Sequence, residues 1–288
     1  TIYSPGYLEV PNPYDPEKPS RFLDWRPQGK VNLVSAIAQS SNVYFYLVGG
    51  GGALSQVSPS EILGGQPIQG LGINRLREWW QKFRLDQLTG IDLPSEAKGF
   101  LPSIEWKEKT SGTPWLLGDT YNVAIGQGDL VITPLSLLNY IAAFASGGKI
   151  YEPHLAADSA PKLLANLSEL MPEISEIQKG MRRAVTSPLG TAYTLNTLPV
   201  DVAAKTGSAQ IDNNKAENAF FVGYEPACVD SAFVATPAKE ATPAGKPASC
   251  NPQIAVLVLV EKAKQGSLNA VPIAKDVLNW YYENRIRK

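Results

Sequence analysis

The chain has one histidine and two cysteines in 288 residues. His154 follows Pro153, a place where a surface side chain is expected, so a Ser-His-Asp mechanism has one poor candidate for its base and is set aside. Cys228 and Cys250 are too few for a His/Cys metal site and no ligand cluster surrounds them, so neither a metal nor a cofactor is expected. They bracket a segment rich in Ala, Pro and Thr, and two readings stay open: a disulfide closing a loop outside the cytoplasm, or two unpaired small residues. Charge of one sign is also missing. Lys plus Arg number 26 against 27 for Asp plus Glu, with no long basic run, which argues against nucleic acid or an anionic membrane surface as partner. No apolar stretch approaches the roughly 20 residues a membrane helix needs. The opening Thr1-Ile2-Tyr3-Ser4-Pro5 has neither a basic region nor an apolar core, so no signal or anchor is expected within the chain, and the abrupt start without Met reads as a fragment.

The composition is that of an ordinary globular protein, long enough for one large domain or two small ones. Residues 1–30 are dense in Pro and Tyr and read as extended, loop-like chain. Val31–Gln39 has the spacing of a short amphipathic helix, and Val43–Val48 is apolar all round and expected to be buried before the Gly49–Gly52 run. Ile73–Phe83 is expected to be helical, capped by Asn74, with Leu76, Trp79, Trp80 and Phe83 as a core stripe. Asp92–Tyr121 reads as irregular, with short helical turns. Thr133-Pro134 opens a helix with Leu135, Leu138, Ile141, Ala142 and Ala145 on its buried face, ended by Gly147-Gly148. A helix fits Glu173–Val185 and another begins near Thr191.

From Asp201 the period changes. Asp201–Thr206, Asn218–Tyr224 and Ile254–Glu261 read as strands, and Pro272–Arg287 as a closing helix with Ile273, Val277, Trp280 and Tyr281 on one side. The chain therefore divides into a mostly helical part, 1–200, and a part with sheet strands and a terminal helix, 201–288. This predicts an α+β class, with an antiparallel sheet flanked by helices. Ile254–Val260 is apolar at every position, the pattern of a central strand covered on both faces, yet few other strand candidates exist to flank it.

The chemistry concentrates in Lys205-Thr206-Gly207-Ser208. Alternate side chains of an extended segment share a face, so Thr206 and Ser208 present two hydroxyls together while Lys205 and Gly207 face the other way. Two hydroxyls beside an ammonium can hold a carboxylate. Gly207 leaves room for a backbone or ligand to come close. The second feature is Ser40-Ser41-Asn42, a polar triplet where one helix ends.

Together, Ser40-x-Asn42 and Lys205-Thr206-Gly207 resemble two of the three active-site motifs of the penicillin-recognising serine enzymes. Leu33–Tyr46, Thr89–Pro94, Gly126-Gln127-Gly128 with Thr133-Pro134-Leu135, and Phe221–Tyr224 are similar to class B penicillin-binding proteins, the elongation-type penicillin-binding protein 2 group most of all. The resemblance implies the penicillin-binding transpeptidase (β-lactamase-like) fold and a D,D-transpeptidase of the cell envelope. Such an enzyme cross-links peptidoglycan stem peptides through a serine acyl-enzyme on D-Ala-D-Ala, takes β-lactam antibiotics at the same place, and works with a glycosyltransferase of the elongation machinery on the extracytoplasmic face of the membrane. On this chain the catalytic roles fall to Ser40, which relays a proton, and Lys205, which supplies positive potential and a hydrogen bond to Ser40. Substrate-binding roles fall to Asn42, Thr206, Gly207 and Ser208, with the Ser208 N–H as half of an oxyanion hole.

One family motif has no match in its usual place: nothing upstream of Ser40 fits Ser-x-x-Lys. Ser95/Lys98, Ser146/Lys149 and Ser159/Lys162 match by spacing, but each falls in a Pro- or Gly-broken stretch. The chain is therefore expected to be the C-terminal part of the domain, without the nucleophile helix or the first strands that pair with the last one, and inactive alone. A non-catalytic module of the same fold is the alternative. A β-lactamase or D,D-carboxypeptidase would share the acyl-enzyme and differ in the acceptor.

Overall fold

The computed structural model describes residues 1–12, 14–52, 68–211, 216–227 and 251–287, so the two cysteines lie outside the described residues. The chain divides into two compact units, Thr1–Leu137 with Pro153–Ser159, and Leu138–Glu152 with Ala160–Lys288.

In the first unit the Pro-rich opening is more ordered than its composition suggests. β1 (Ile2–Ser4) pairs antiparallel with β4 (Gly29–Val31), and β2 (Tyr7–Val10) with β3 (Ser20–Leu23). The prolines at 5, 11, 16, 19 and 27 all fall between these strands, where a missing N–H costs no ladder bond. α1 (Leu33–Gln39) starts in a capping box between Asn32 and Ser35. After one intervening pair of residues α2 (Asn42–Gly50) begins, with Ser41 as N-cap. α3 (Gly72–Lys82) departs from expectation twice. Asn74 lies within its first turn rather than at its cap, and Ile73 is its buried residue while Trp79 is 37 % exposed. α4 (Ile104–Ser111) and α5 (Leu117–Ala124) are regular helices in the stretch expected to be irregular, and a Ser103 cap accepting from the Trp106 N–H starts the first of them.

α2 and α5 meet through glycine. A Cβ on Gly49 would lie 2.4 Å from that of Ala124, and one on Gly50 2.4 Å from the Tyr121 ring. The contact closes a core of Ile2, Leu8, Val31, Val43, Tyr46, Leu47 and Tyr121, with the Phe22 ring edge-on to Tyr121 at 4.8 Å.

α6 (Pro134–Ala145) starts on Thr133, whose hydroxyl accepts the Ser136 N–H, and its residues from Leu138 belong to the second unit. Ile141 is fully buried as expected, whereas Leu138, Ala142 and Ala145 are half-buried, and Ala143 and Phe144 take the core positions. β5 (Lys149–Tyr151) and β6 (Leu163–Asn166) form a ribbon, α7 (Met171–Thr186) follows, and a short 3-10 turn covers Tyr193–Thr197.

The main sheet has the order β7 (Ala203–Ile211), β8 (Ala216–Glu225), β9 (Ile254–Ala263), antiparallel throughout. Its core gathers Val185, Leu195, Val202, Ala204, Phe221, Val271, Ala274 and Leu278. α8 (Val271–Tyr281) therefore buries Val271, Ala274 and Leu278. The stripe Ile273, Val277 and Trp280 faces outward, 47 %, 41 % and 57 % exposed. β9 has β8 on one side and no strand on the other among the described residues, and only Val256 of its apolar run is fully buried. Helices laid on antiparallel strands make the class α+β, as expected.

Candidate functional site

The residues singled out in the sequence form two groups, one in each unit. Ser40, Ser41 and Asn42 join the end of α1 to the start of α2. Ser40 has left-handed backbone (φ 56°, ψ 53°), uncommon for a residue other than glycine. The Ser41 N–H reaches back to the Ala36 carbonyl at 2.9 Å, the usual way to close a helix through a left-handed residue. Ser41 is wholly buried, and its hydroxyl caps α2. Asn42 donates its side-chain amide to the Leu23 carbonyl at 3.3 Å, and the Tyr46 hydroxyl donates to the same carbonyl at 3.1 Å.

A turn missed in the sequence holds this junction. The Asp24 carboxylate accepts from the Ser41 hydroxyl (3.0 Å), the Val43 N–H (3.1 Å), the Ser4 hydroxyl (3.3 Å), the Trp25 N–H (2.9 Å) and the Gln28 amide (3.4 Å). Burial, with the Asp24 charge adding to it, pushes the Tyr46 phenol up to about 12. A lone Asp in a Pro-rich stretch carries no motif, so only its partners reveal it.

The second group lies on β7. Lys205 pairs in register with Val222, Thr206 with Phe221, Gly207 with Phe220 and Ser208 with Ala219, so the two hydroxyl residues do alternate with Lys205 and Gly207. They differ in access: Thr206 is buried and Ser208 exposed. The Lys205 ammonium donates to the Thr206 carbonyl, and burial pushes it down to about 8, still cationic at neutral pH but closer to releasing a proton than a surface lysine. The backbone that comes close to Gly207 belongs to Gly266, which opens a π-type turn, Gly266–Ala270. Its N–H donates to the Ser208 hydroxyl at 3.3 Å, and a Cβ there would sit 2.5 Å from the Gly207 carbonyl oxygen.

None of the three Ser-x-x-Lys matches makes a nucleophile and base pair. Ser95 has left-handed backbone in a loop, the Ser146 hydroxyl donates to the Lys149 carbonyl at 2.8 Å, and Lys162 pairs with Glu152 at 2.7 Å. His154 is exposed, and its neighbours Leu155 and Ala156 give their N–H groups to Asp92. A cavity of about 250 Å³ in the second unit, lined by Asn139, Ser146, Lys149, Tyr151 and Gln253 among others, includes no residue of Ser40–Asn42 or Lys205–Ser208.

Residues 10–249 match the model of the penicillin binding protein transpeptidase domain. The chain is 30 % identical, over 99 % of its length, to the peptidoglycan D,D-transpeptidase MrdA of Haemophilus influenzae, covering 41 % of that protein. Among solved structures it is similar to the penicillin-binding protein PBP2 of Helicobacter pylori (TM-score 0.74, 28 % identity, 98 % of this chain and 44 % of that one). The same H. pylori protein has been solved in a complex with MreC. Pseudomonas aeruginosa PBP2 bound to WCK 5153 is similar too (TM-score 0.72, 30 % identity, 99 % of this chain and 54 % of that one). The chain thus spans about two fifths of the length of the curated relatives it matches.

Proposed function

Because the chain belongs to the penicillin-binding protein transpeptidase family, we propose that it carries two of the three motifs of a peptidoglycan D,D-transpeptidase, the nucleophilic serine and its lysine being supplied by another part of the same protein. In this reading the serine oxygen attacks the D-Ala-D-Ala carbonyl of a donor stem peptide. The C–N bond breaks, the terminal D-Ala leaves with a proton relayed through Ser40, and an amine of a second stem peptide then displaces the serine from the ester. Asn42 holds the donor by its side-chain amide. Lys205 supplies positive potential for the relay. Thr206 and Ser208 bind the terminal carboxylate, and the Ser208 N–H is half of an oxyanion hole, an interaction worth about 3 kcal/mol where measured. A β-lactam enters the same chemistry, its ring amide opening to a stable acyl-enzyme. The reaction takes place on the extracytoplasmic face of the cytoplasmic membrane, beside a glycosyltransferase of the elongation machinery.

The observation that carries the reading is the geometry of β7, where the half-buried Lys205 ammonium shares one strand with the Thr206 and Ser208 hydroxyls. An apolar residue would cost less to bury at that place, which favours a role in binding an anion over one in packing. The test is acylation by a fluorescent penicillin. This chain alone should form no covalent adduct, while the full-length protein should, and Ser40→Ala or Lys205→Ala in it should slow the reaction about a hundredfold. An adduct on the chain alone would overturn the placement of the nucleophile; acylation indifferent to both substitutions would overturn the roles given to the two motifs.

A further inference from the structure

The junction between α1 and α2 poses a hydrogen-bonding problem. The carbonyl end of one helix and the N–H end of the next are separated by two residues, so acceptors and donors without intrahelical partners must both be satisfied within one short turn. The two adjacent residues Asp24 and Trp25 answer both ends. Asp24 gives its carboxylate to the start of α2, accepting from the Ser41 hydroxyl and the Val43 N–H. Trp25 gives its indole N–H to the end of α1, donating to the carbonyls of Gln39 (3.0 Å) and Ser40 (3.2 Å). Gln28 bridges the two, its amide donating to both Asp24 and the Gln39 carbonyl.

Between these anchors Ser40 takes the left-handed conformation, which costs about 1 kcal/mol for a residue with a Cβ. That turn sets the direction of the Ser40 hydroxyl. Asp24 forms no ion pair among the described residues, and Trp25 is 54 % exposed, so neither is spent on a salt link or on the core. We propose that Asp24, with Trp25, is a positioning residue: it acts through the backbone of the Ser40–Asn42 loop to aim the Ser40 hydroxyl for proton relay. The assignment rests on the function proposed above and adds a residue outside all three motifs.

The experiment is a double-mutant cycle in the full-length protein, read by penicillin acylation. Asp24→Asn places an amide where three donors converge on one carboxylate oxygen. It should lower the maximal acylation rate at least tenfold and shift the penicillin concentration for half-maximal rate less than threefold. In a Ser40→Ala background the same substitution should add less than a twofold loss. Trp25→Phe removes the indole N–H, with one ring of an exposed side chain on which Arg26 stacks, and should give the same pattern more weakly; it decides the question if Asp24→Asn does not fold. A wild-type rate in both variants, or an undiminished loss in the Ser40→Ala background, would overturn the proposal alone. If Ser40→Ala itself leaves acylation unchanged, the relay role falls and the positioning role falls with it.

Discussion

The two motif-bearing regions are held in place by different forces. Lys205–Ser208 sits on a strand paired residue for residue with β8 from Ala203 to Ile211, over a core that includes Phe221 and Ala204. Ser40–Asn42 has no ladder; a handful of side-chain hydrogen bonds from one turn fix it. A backbone ladder tolerates most side-chain changes and fails when volume is added against it. A side-chain clasp tolerates volume and fails when one donor or acceptor is lost. The strand region should therefore be sensitive to size, and the helix junction to hydrogen-bonding chemistry at nearly constant size.

The sharpest test of that contrast is Gly266→Ala. The added methyl would meet two backbone oxygens, those of Phe220 at 2.4 Å and Gly207 at 2.5 Å, neither of which can rotate away. The variant should lose about 3 kcal/mol in urea unfolding, at the upper end of overpacking costs. A loss under about 1 kcal/mol would mean that the turn moves as a unit, and that the strand is less fixed than its ladder suggests.

The strand region should also carry the pH dependence. Both oxygens of Glu225, at the end of β8, are buried without a hydrogen-bond partner among the described residues, and burial pushes this carboxyl up to about 7 from 4.5. It folds as the neutral acid, so its contribution to stability is complete below pH 4.5 and is lost as pH rises through about 7. Lys205 runs the other way. Its pKa falls from 10.5 to about 8, so stability is restored above 10.5 and lost as pH falls through about 8. Unfolding free energy should thus decline between pH 4.5 and 7 and climb above about 8, each limb worth on the order of 2 kcal/mol. Glu225→Gln should flatten the first limb and Lys205→Met the second. Limbs that survive these substitutions would place the titration elsewhere.

The same division governs what could be read in the sequence. The three strands of the main sheet and the Lys-Thr-Gly motif on the first of them were legible because periodicity and motif are local properties. The Pro and Gly of 92–121 hid α4 and α5, since breaker density outweighed an eight-residue period. Composition also hid the two ribbons of residues 1–31, whose prolines punctuate the strands rather than preclude them. The stripe Ile273, Val277 and Trp280 was visible, but apolar spacing does not say which side of a helix meets the sheet; small Ala274 beside Val271 and Leu278 did. Asp24 was illegible for a deeper reason. Its partners Ser41 and Val43 lie 17 and 19 residues away, so its role exists only in the fold.

The smallest predicted effect discriminates most finely between the two regions. Ser40 spends about 1 kcal/mol to stay left-handed, and glycine there would not. Against this, glycine is more flexible in the unfolded chain, so Ser40→Gly should change stability by no more than about 0.5 kcal/mol either way. Acylation of the full-length protein should nevertheless fall as far as in Ser40→Ala, because both substitutions remove the hydroxyl. Restoring a hydroxyl with Ser40→Thr separates presence from aim. Threonine resists the left-handed region more strongly than serine, since branching at Cβ crowds that backbone. If the clasp from Asp24 and Trp25 dictates the turn, Ser40→Thr should keep much of the acylation rate and lose roughly 1 kcal/mol of stability. If the turn instead yields to the side chain, stability should hold and the rate should drop to the Ser40→Ala level, and the junction would then be as adaptable as the strand is rigid.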